Sequence, residues 1–197
     1  NSSGTAISGY TGGAFSYTAT DTGSGVSYLQ YKTPGSSSWT TYSSGTTISA
    51  SATNGLYQFR AVDNAGNTSA VSSIYLDTAI PTGRITDSNG TTVTTTTNKA
   101  FKYTASDGLS GIAYMQYKKP NSTVWETYAA GTLIQTTDTN GIYRFRAFDN
   151  AGNESETVMI CLDTVKPTGT LYGGTSTVAS GRNSDANYVK YLPSYSM

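Results

Sequence analysis

The chain states one pattern twice. Residues 15–81 read FSYTATD…SYLQYKTP…W…TNGLYQFRAVDNAGNTS…IYLDTAIP, and residues 101–167 read FKYTASD…AYMQYKKP…W…TNGIYRFRAFDNAGNES…ICLDTVKP. Every landmark moves by 86 positions without a gap: Tyr17 to Tyr103, Trp39 to Trp125, Asp63 to Asp149, Pro81 to Pro167. About half of the aligned residues are identical. A solenoid unit is shorter and leans on its neighbours, whereas a period this long suits a whole small domain used in tandem. The expected organisation is a first domain over residues 1–80, a second over 81–166, and a partial third repeat or C-terminal strand over 167–197. That last segment opens with Pro167-Thr168-Gly169-Thr170-Leu171, matching Pro81-Thr82-Gly83-Arg84-Ile85. The first copy has no such stretch before it, so its first strand is incomplete, with Ser2 to Ile7 as a substitute edge strand. An incomplete sheet edge recruits strands, which makes head-to-tail self-association through the tail one expectation and a plain monomer the other.

Domains of this size can each close a modest core. Lysine plus arginine and aspartate plus glutamate number 12 each, for a net charge of zero, so nothing points to nucleic acid. No apolar run approaches the roughly 18 residues of a membrane-spanning helix, so no membrane insertion is expected. The single cysteine, Cys161, allows no intrachain disulfide, and its counterpart is Tyr75. Each domain must therefore stand on packing. Histidine is absent, which removes Ser-His-Asp and Cys-His catalysis and histidine zinc sites. The chain is expected not to be an enzyme.

Period-two alternation dominates. Phe15, Tyr17 and Ala19 face one way and Ser16 and Thr18 the other; Leu29 and Tyr31 alternate with Gln30 and Lys32; Tyr57, Phe59 and Ala61 alternate with Gln58 and Arg60. Turn clusters separate these runs, among them Asn54-Gly55 and Asn64-Ala65-Gly66-Asn67. The pattern predicts strands near 83–85, 15–20, 26–32, 38–42, 46–50, 56–62 and 71–77, with the last six repeated 86 residues later. The fold class is all-β, as tandem immunoglobulin-like β-sandwiches. Tyr57, after Asn54-Gly55, resembles a tyrosine corner, its ring packed and its hydroxyl on a backbone group. Trp39 and Trp125 are expected to cover the core edge, and Arg60 and Arg146 to point outward, one of them pairing with a carboxylate.

The GxYxFRAxDNAGNxS…DTxxPT signature, present twice at one spacing, resembles the bacterial Ig-like tandem repeats of cell-surface and adhesin-type proteins. The resemblance covers residues 15–167 and implies an extracellular, cell-surface location and a stalk or binding-tip role without catalysis. Its partners would be a host or surface receptor or a glycan. It also implies that calcium can sit at the junction between domains, where the loop after the second strand and the loop after the sixth meet the incoming linker. In the second copy that pole gathers Asp77, Asp107 and Asp149. Carboxylates and loop carbonyls supply the oxygen ligands that calcium takes. The same aspartates also suit turn capping through Asx hydrogen bonds, since Asp is followed by Asn-Ala-Gly-Asn. The alternative function is a carbohydrate-binding accessory module, for which exposed tyrosines, Tyr42 and Tyr128 foremost, would stack on sugar rings.

Overall fold

A computed structural model describes residues 5–170. The described chain is all-β, with no helix. Residues Asn1–Thr164 form one compact unit and Val165–Met197 a second. Of the second, residues 165–170 are described; they are exposed and carry no strand.

In the first copy, β1 (Gly9–Thr11), β2 (Val26–Lys32), β3 (Thr40–Tyr42), β4 (Gly55–Asp63) and β5 (Ser72–Leu76) form a sheet ordered β1-β5-β4-β2-β3. The second copy contributes β6 (Thr82–Asp87), β7 (Thr96–Thr97), β8 (Phe101–Ser106), β9 (Ile112–Lys118), β10 (Glu126–Tyr128), β11 (Gly141–Asp149) and β12 (Val158–Leu162). Its main sheet runs β10-β9-β11-β12-β7, and β6 pairs with β8 as a second layer. The side-chain alternation explains the layering. On β11, Tyr143, Phe145 and Ala147 point into the core while Arg144 and Arg146 point away. From the facing ladder, Ile85, Phe101 and Tyr103 enter the same core. The first copy buries the equivalent set, including Phe15, Leu29, Tyr57, Phe59, Ile74 and Leu76.

The expected tyrosine corners are in place. The Tyr57 hydroxyl donates to the Thr53 carbonyl and that of Tyr143 to the Thr139 carbonyl, each at 2.9 Å. Both rings stay in the core with their polar end satisfied.

Three expectations need correction. Residues 15–20 are not a strand in the first copy, and neither 46–50 nor its counterpart 132–136 is a strand; the segments meet only through the single bridges Phe15–Ile48 and Phe101–Ile134. The counterpart of 15–20 shows the reason for its loss: β8 is a full strand because β6 supplies it with a ladder, and no described residue does so for 15–20. The substitute edge strand is not Ser2 to Ile7, whose first three residues lie outside the described residues; residues 5–8 carry no strand. The edge is β1, parallel to β5, and β7 repeats it against β12. Finally, Trp39 and Trp125 do not cover the core edge. They lie on the outer sheet face beneath cations: the Arg60 guanidinium is 4.3 Å from the Trp39 ring and that of Arg146 is 4.2 Å from Trp125. Arg146 also forms the expected ion pair, with Glu154 at 2.7 Å.

Candidate metal centre at the joint between the copies

Each copy folds its polar loops around an aspartate. Asp149 ends β11 on the inward phase, in line with Tyr143, Phe145 and Ala147, so it closes the core row rather than facing solvent. Its Oδ1 accepts the backbone N–H groups of Ala151 (2.9 Å) and Asn153 (2.8 Å), and its Oδ2 accepts the Asn153 side-chain amide (2.8 Å). Asp107 does the same for the preceding loop, its Oδ1 accepting Leu109, Ser110 and Gly111 N–H at 2.9–3.0 Å. These are Asx turns, in which a side-chain oxygen serves donors that the tight turn would otherwise leave unpaired.

The first copy repeats both turns. Asp63 accepts Ala65 and Asn67 N–H and the Asn67 side chain, and Asp21 accepts Gly23 and Gly25 N–H. Turn capping is thus intrinsic to every copy. What the joint adds is a third carboxylate.

Asp77 follows β5, and its N–H bonds to the Thr11 carbonyl at 2.9 Å. Its Oδ2 accepts the Ser110 N–H (3.0 Å), its Oδ1 the Ala79 N–H (3.0 Å), and its own carbonyl accepts the Asn153 amide (2.8 Å). Gly12 N–H completes the seam on the Ala151 carbonyl at 3.0 Å. A side chain at Gly12 would place its Cβ 2.6 Å from Asn153 Oδ1, so the approach requires glycine. Asp163, the counterpart of Asp77, repeats the backbone bond to Thr97 but is exposed. Burial of Asp77 therefore comes from the loops of the second copy.

The structure brings Asp77, Asp107 and Asp149 together, with one carboxylate oxygen from each lying within 4.8 Å of the others. Asp77 is 0% exposed and Asp149 2%. Among the described residues, no lysine or arginine forms a salt bridge with any of the three. Burial works against the Asp107 charge, but the N–H groups of Leu109, Gly111, Ser110 and Gly108 outweigh it and hold its carboxyl below the ordinary aspartate value. An all-oxygen donor set without a compensating cation fits a hard ion such as calcium. Lone-pair capacity remains on both Asp77 oxygens and on Asp149 Oδ2, each of which accepts one donor, and the Asp107 turn bonds all fall on Oδ1, which leaves its Oδ2 for an ion. Asp77, Asp107 and Asp149 would hold the ion. It would supply charge neutralisation and a tie between linker and loops.

Tyr42 and Tyr128 are not a ligand surface. They are 5% and 3% exposed, in the two cores. Tyr42 pairs across strands with Leu29, and Tyr128 with Met115, on the inward face. The Tyr42 hydroxyl accepts the Tyr17 N–H at 3.0 Å and donates to the Thr46 carbonyl; Tyr128 does the same with Tyr103 and Thr132. Each hydroxyl thereby ties the second layer to the sheet edge. Tyr28 and Tyr114 are exposed, but Tyr114 already stacks on Phe148 at 4.7 Å. The sugar-stacking reading loses the residues on which it rested.

No protein-family model matches the sequence, and no curated protein matches it. Among solved structures, the fibronectin(III)-like modules of Clostridium thermocellum CbhA align with a TM-score of 0.38 and 18% identity, covering 86% of this chain and 97% of that one.

Proposed function

We propose that this chain is a non-catalytic structural module, a stalk segment of an extracellular bacterial surface repeat protein, with residues 1–80 and 81–166 each an Ig-like domain. The observation that carries this reading is the joint. Asp77 is fully buried by loops of the following copy and held by Ser110 and Asn153. A linker that only connected two independent modules would be solvated and loose. Here the Asp77 N–H, carbonyl and both carboxylate oxygens, together with the Thr78 and Ala79 N–H groups, are all hydrogen-bonded, which fixes the direction of the linker as a spacer that must reach and bear load requires. The surface on offer, polar and uncharged in net terms, suits an element that holds a binding tip away from the cell.

Pulling a single molecule by its ends tests the two-domain reading. Each copy of 86 residues should release roughly 300 Å of chain in its own step. A single step releasing both copies together would contradict it.

Calcium tightens the same joint in this account. Binding would stabilise the folded state by simple mass action, so the melting temperature of the second copy should rise in millimolar calcium relative to chelator. The rise should vanish in Asp107→Asn, which keeps an acceptor oxygen for the turn but removes the charge. Identical transitions in calcium and chelator would leave these aspartates as turn caps alone.

A further inference from the structure

On the outer face of the two sheets the copies share an arginine frame but not what fills it. In the second copy the Arg146 guanidinium lies 4.2 Å from the Trp125 ring. Its Nε and Nη2 donate to the Gln116 side-chain oxygen at 2.9 and 2.8 Å, and its Nη1 to Glu154 at 2.7 Å. The first copy builds the same frame. Arg60 lies 4.3 Å from the Trp39 ring, and its Nε donates to the Gln30 side-chain oxygen at 2.9 Å. Glu154 is held in place by a backbone bridge to Phe148, and its counterpart Thr68 makes the same bridge to Val62. Threonine brings no carboxylate, so both Nη groups of Arg60 have no partner among the described residues. Lys32 approaches the Trp39 ring at 4.9 Å and forms no ion pair either.

The frame leaves the guanidinium fork ready for an anion. A ring against its plane and an amide oxygen on Nε fix its orientation, while the Nη edge keeps its donors in a geometry that matches a carboxylate. Glu154 shows which acceptor this frame takes. We propose that Arg60, with Lys32 and Trp39, is a binding site for the carboxylates of an acidic polysaccharide, and that Glu154 closes the equivalent site in the second copy. A peptide strand has nothing to pair with here, because β2 and β4 are interior strands with neighbours on both sides. The outward residues next to the cations are Gln58, opposite Lys32, and Thr41, opposite Gln30, amide and hydroxyl groups of the kind that meet sugar hydroxyls. One exposed ion pair contributes little. A polymer with a carboxylate on successive rings engages Arg60 and Lys32 together, since Lys32 lies two residues along β2 from the position opposite Arg60.

Nitrogen-15 spectra of the full chain titrated with oligogalacturonate test this. The Trp39 indole and Arg60 Nε–H signals should shift, while those of Trp125 and Arg146 stay in place. Thr68→Glu should weaken binding about tenfold by filling the fork from within, as Arg60→Gln does by removing it. Thr68 is exposed, and the new side chain reproduces what the second copy already carries, so the fold is kept. Glu154→Thr should open the second site, and the Trp125 and Arg146 signals should then shift as well. The methyl-esterified oligomer, which keeps the sugar and loses the charge, should move none of them. Binding by Thr68→Glu as tight as by the native chain overturns the fork as the site. An equal response of Arg146 and Arg60 in the native chain overturns closure by Glu154. Polyglutamate binding as tightly as oligogalacturonate overturns the glycan as occupant in favour of an acidic protein segment. Silence at Trp39 and Arg60 at every oligomer concentration overturns the site outright.

Discussion

Phe145→Ala is expected to destabilise the second copy by about 3–5 kcal/mol, the usual range for emptying a buried aromatic site. Phe145 is fully buried at the centre of four rings. Tyr103 stacks on it at 5.1 Å and Tyr117 at 6.1 Å, while Tyr128 and Phe101 meet it edge-on at 5.2 and 6.2 Å. Neighbours of that size, two of them pinned by their hydroxyls, cannot collapse into the space. Phe59→Ala in the first copy removes the same ring from a similar cluster, but one side of that cluster already opens into the groove beneath Tyr17. Its effect should be smaller, since part of the cavity term is present before the mutation. Hydrogen exchange at Ala147 and at Ala61, read in the two variants, separates the copies. Equal losses would mean that the open groove does not weaken the first core.

Asp149→Ala should come next, at about 2–4 kcal/mol, because it strands backbone N–H groups of Ala151 and Asn153 in a loop that the joint covers. It also frees the Asn153 side chain that holds the Asp77 carbonyl. Asp63→Ala deletes the same set of hydrogen bonds in the first copy, where the loop is exposed and water can replace them. The expected result is a clear loss of melting temperature for Asp149→Ala and a much smaller one for Asp63→Ala. Two equal losses would show that joint burial adds nothing to the turn.

The comparison of sequence with structure turns on what a repeat can and cannot transmit. Inward and outward phases were legible wherever a strand was long: Phe59 and Phe145, Ile74 and Ile160 all lie where alternation puts them. The meeting of Asp77, Asp107 and Asp149 was legible too, because loop order in a sandwich fixes which turns share a pole. Short strands gave no such signal. Tyr42 and Tyr128 end strands of only three residues, and with no run to set the phase their burial came from cross-strand pairing with Leu29 and Met115. The parallel strands Gly9–Thr11 and Thr96–Thr97 carry no alternation to read. The fate of residues 15–20 was set by a partner strand, not by their own sequence, since near-identical residues form β8 when β6 lies beside them. The tryptophans went to the outer face because a flat ring pairs there with the arginine row on β4 and β11.

The central claim is that the joint fixes one copy against the other. Nitrogen-15 relaxation on the full chain measures this directly, by giving a rotational correlation time for the amides of each sheet. The account predicts one shared diffusion tensor for β2, β4, β9 and β11 in the native chain. In Gly12→Val it predicts two separate and shorter times, because the added side chain collides with Asn153 while touching neither core. Independent tumbling of the two copies in the native chain would contradict it.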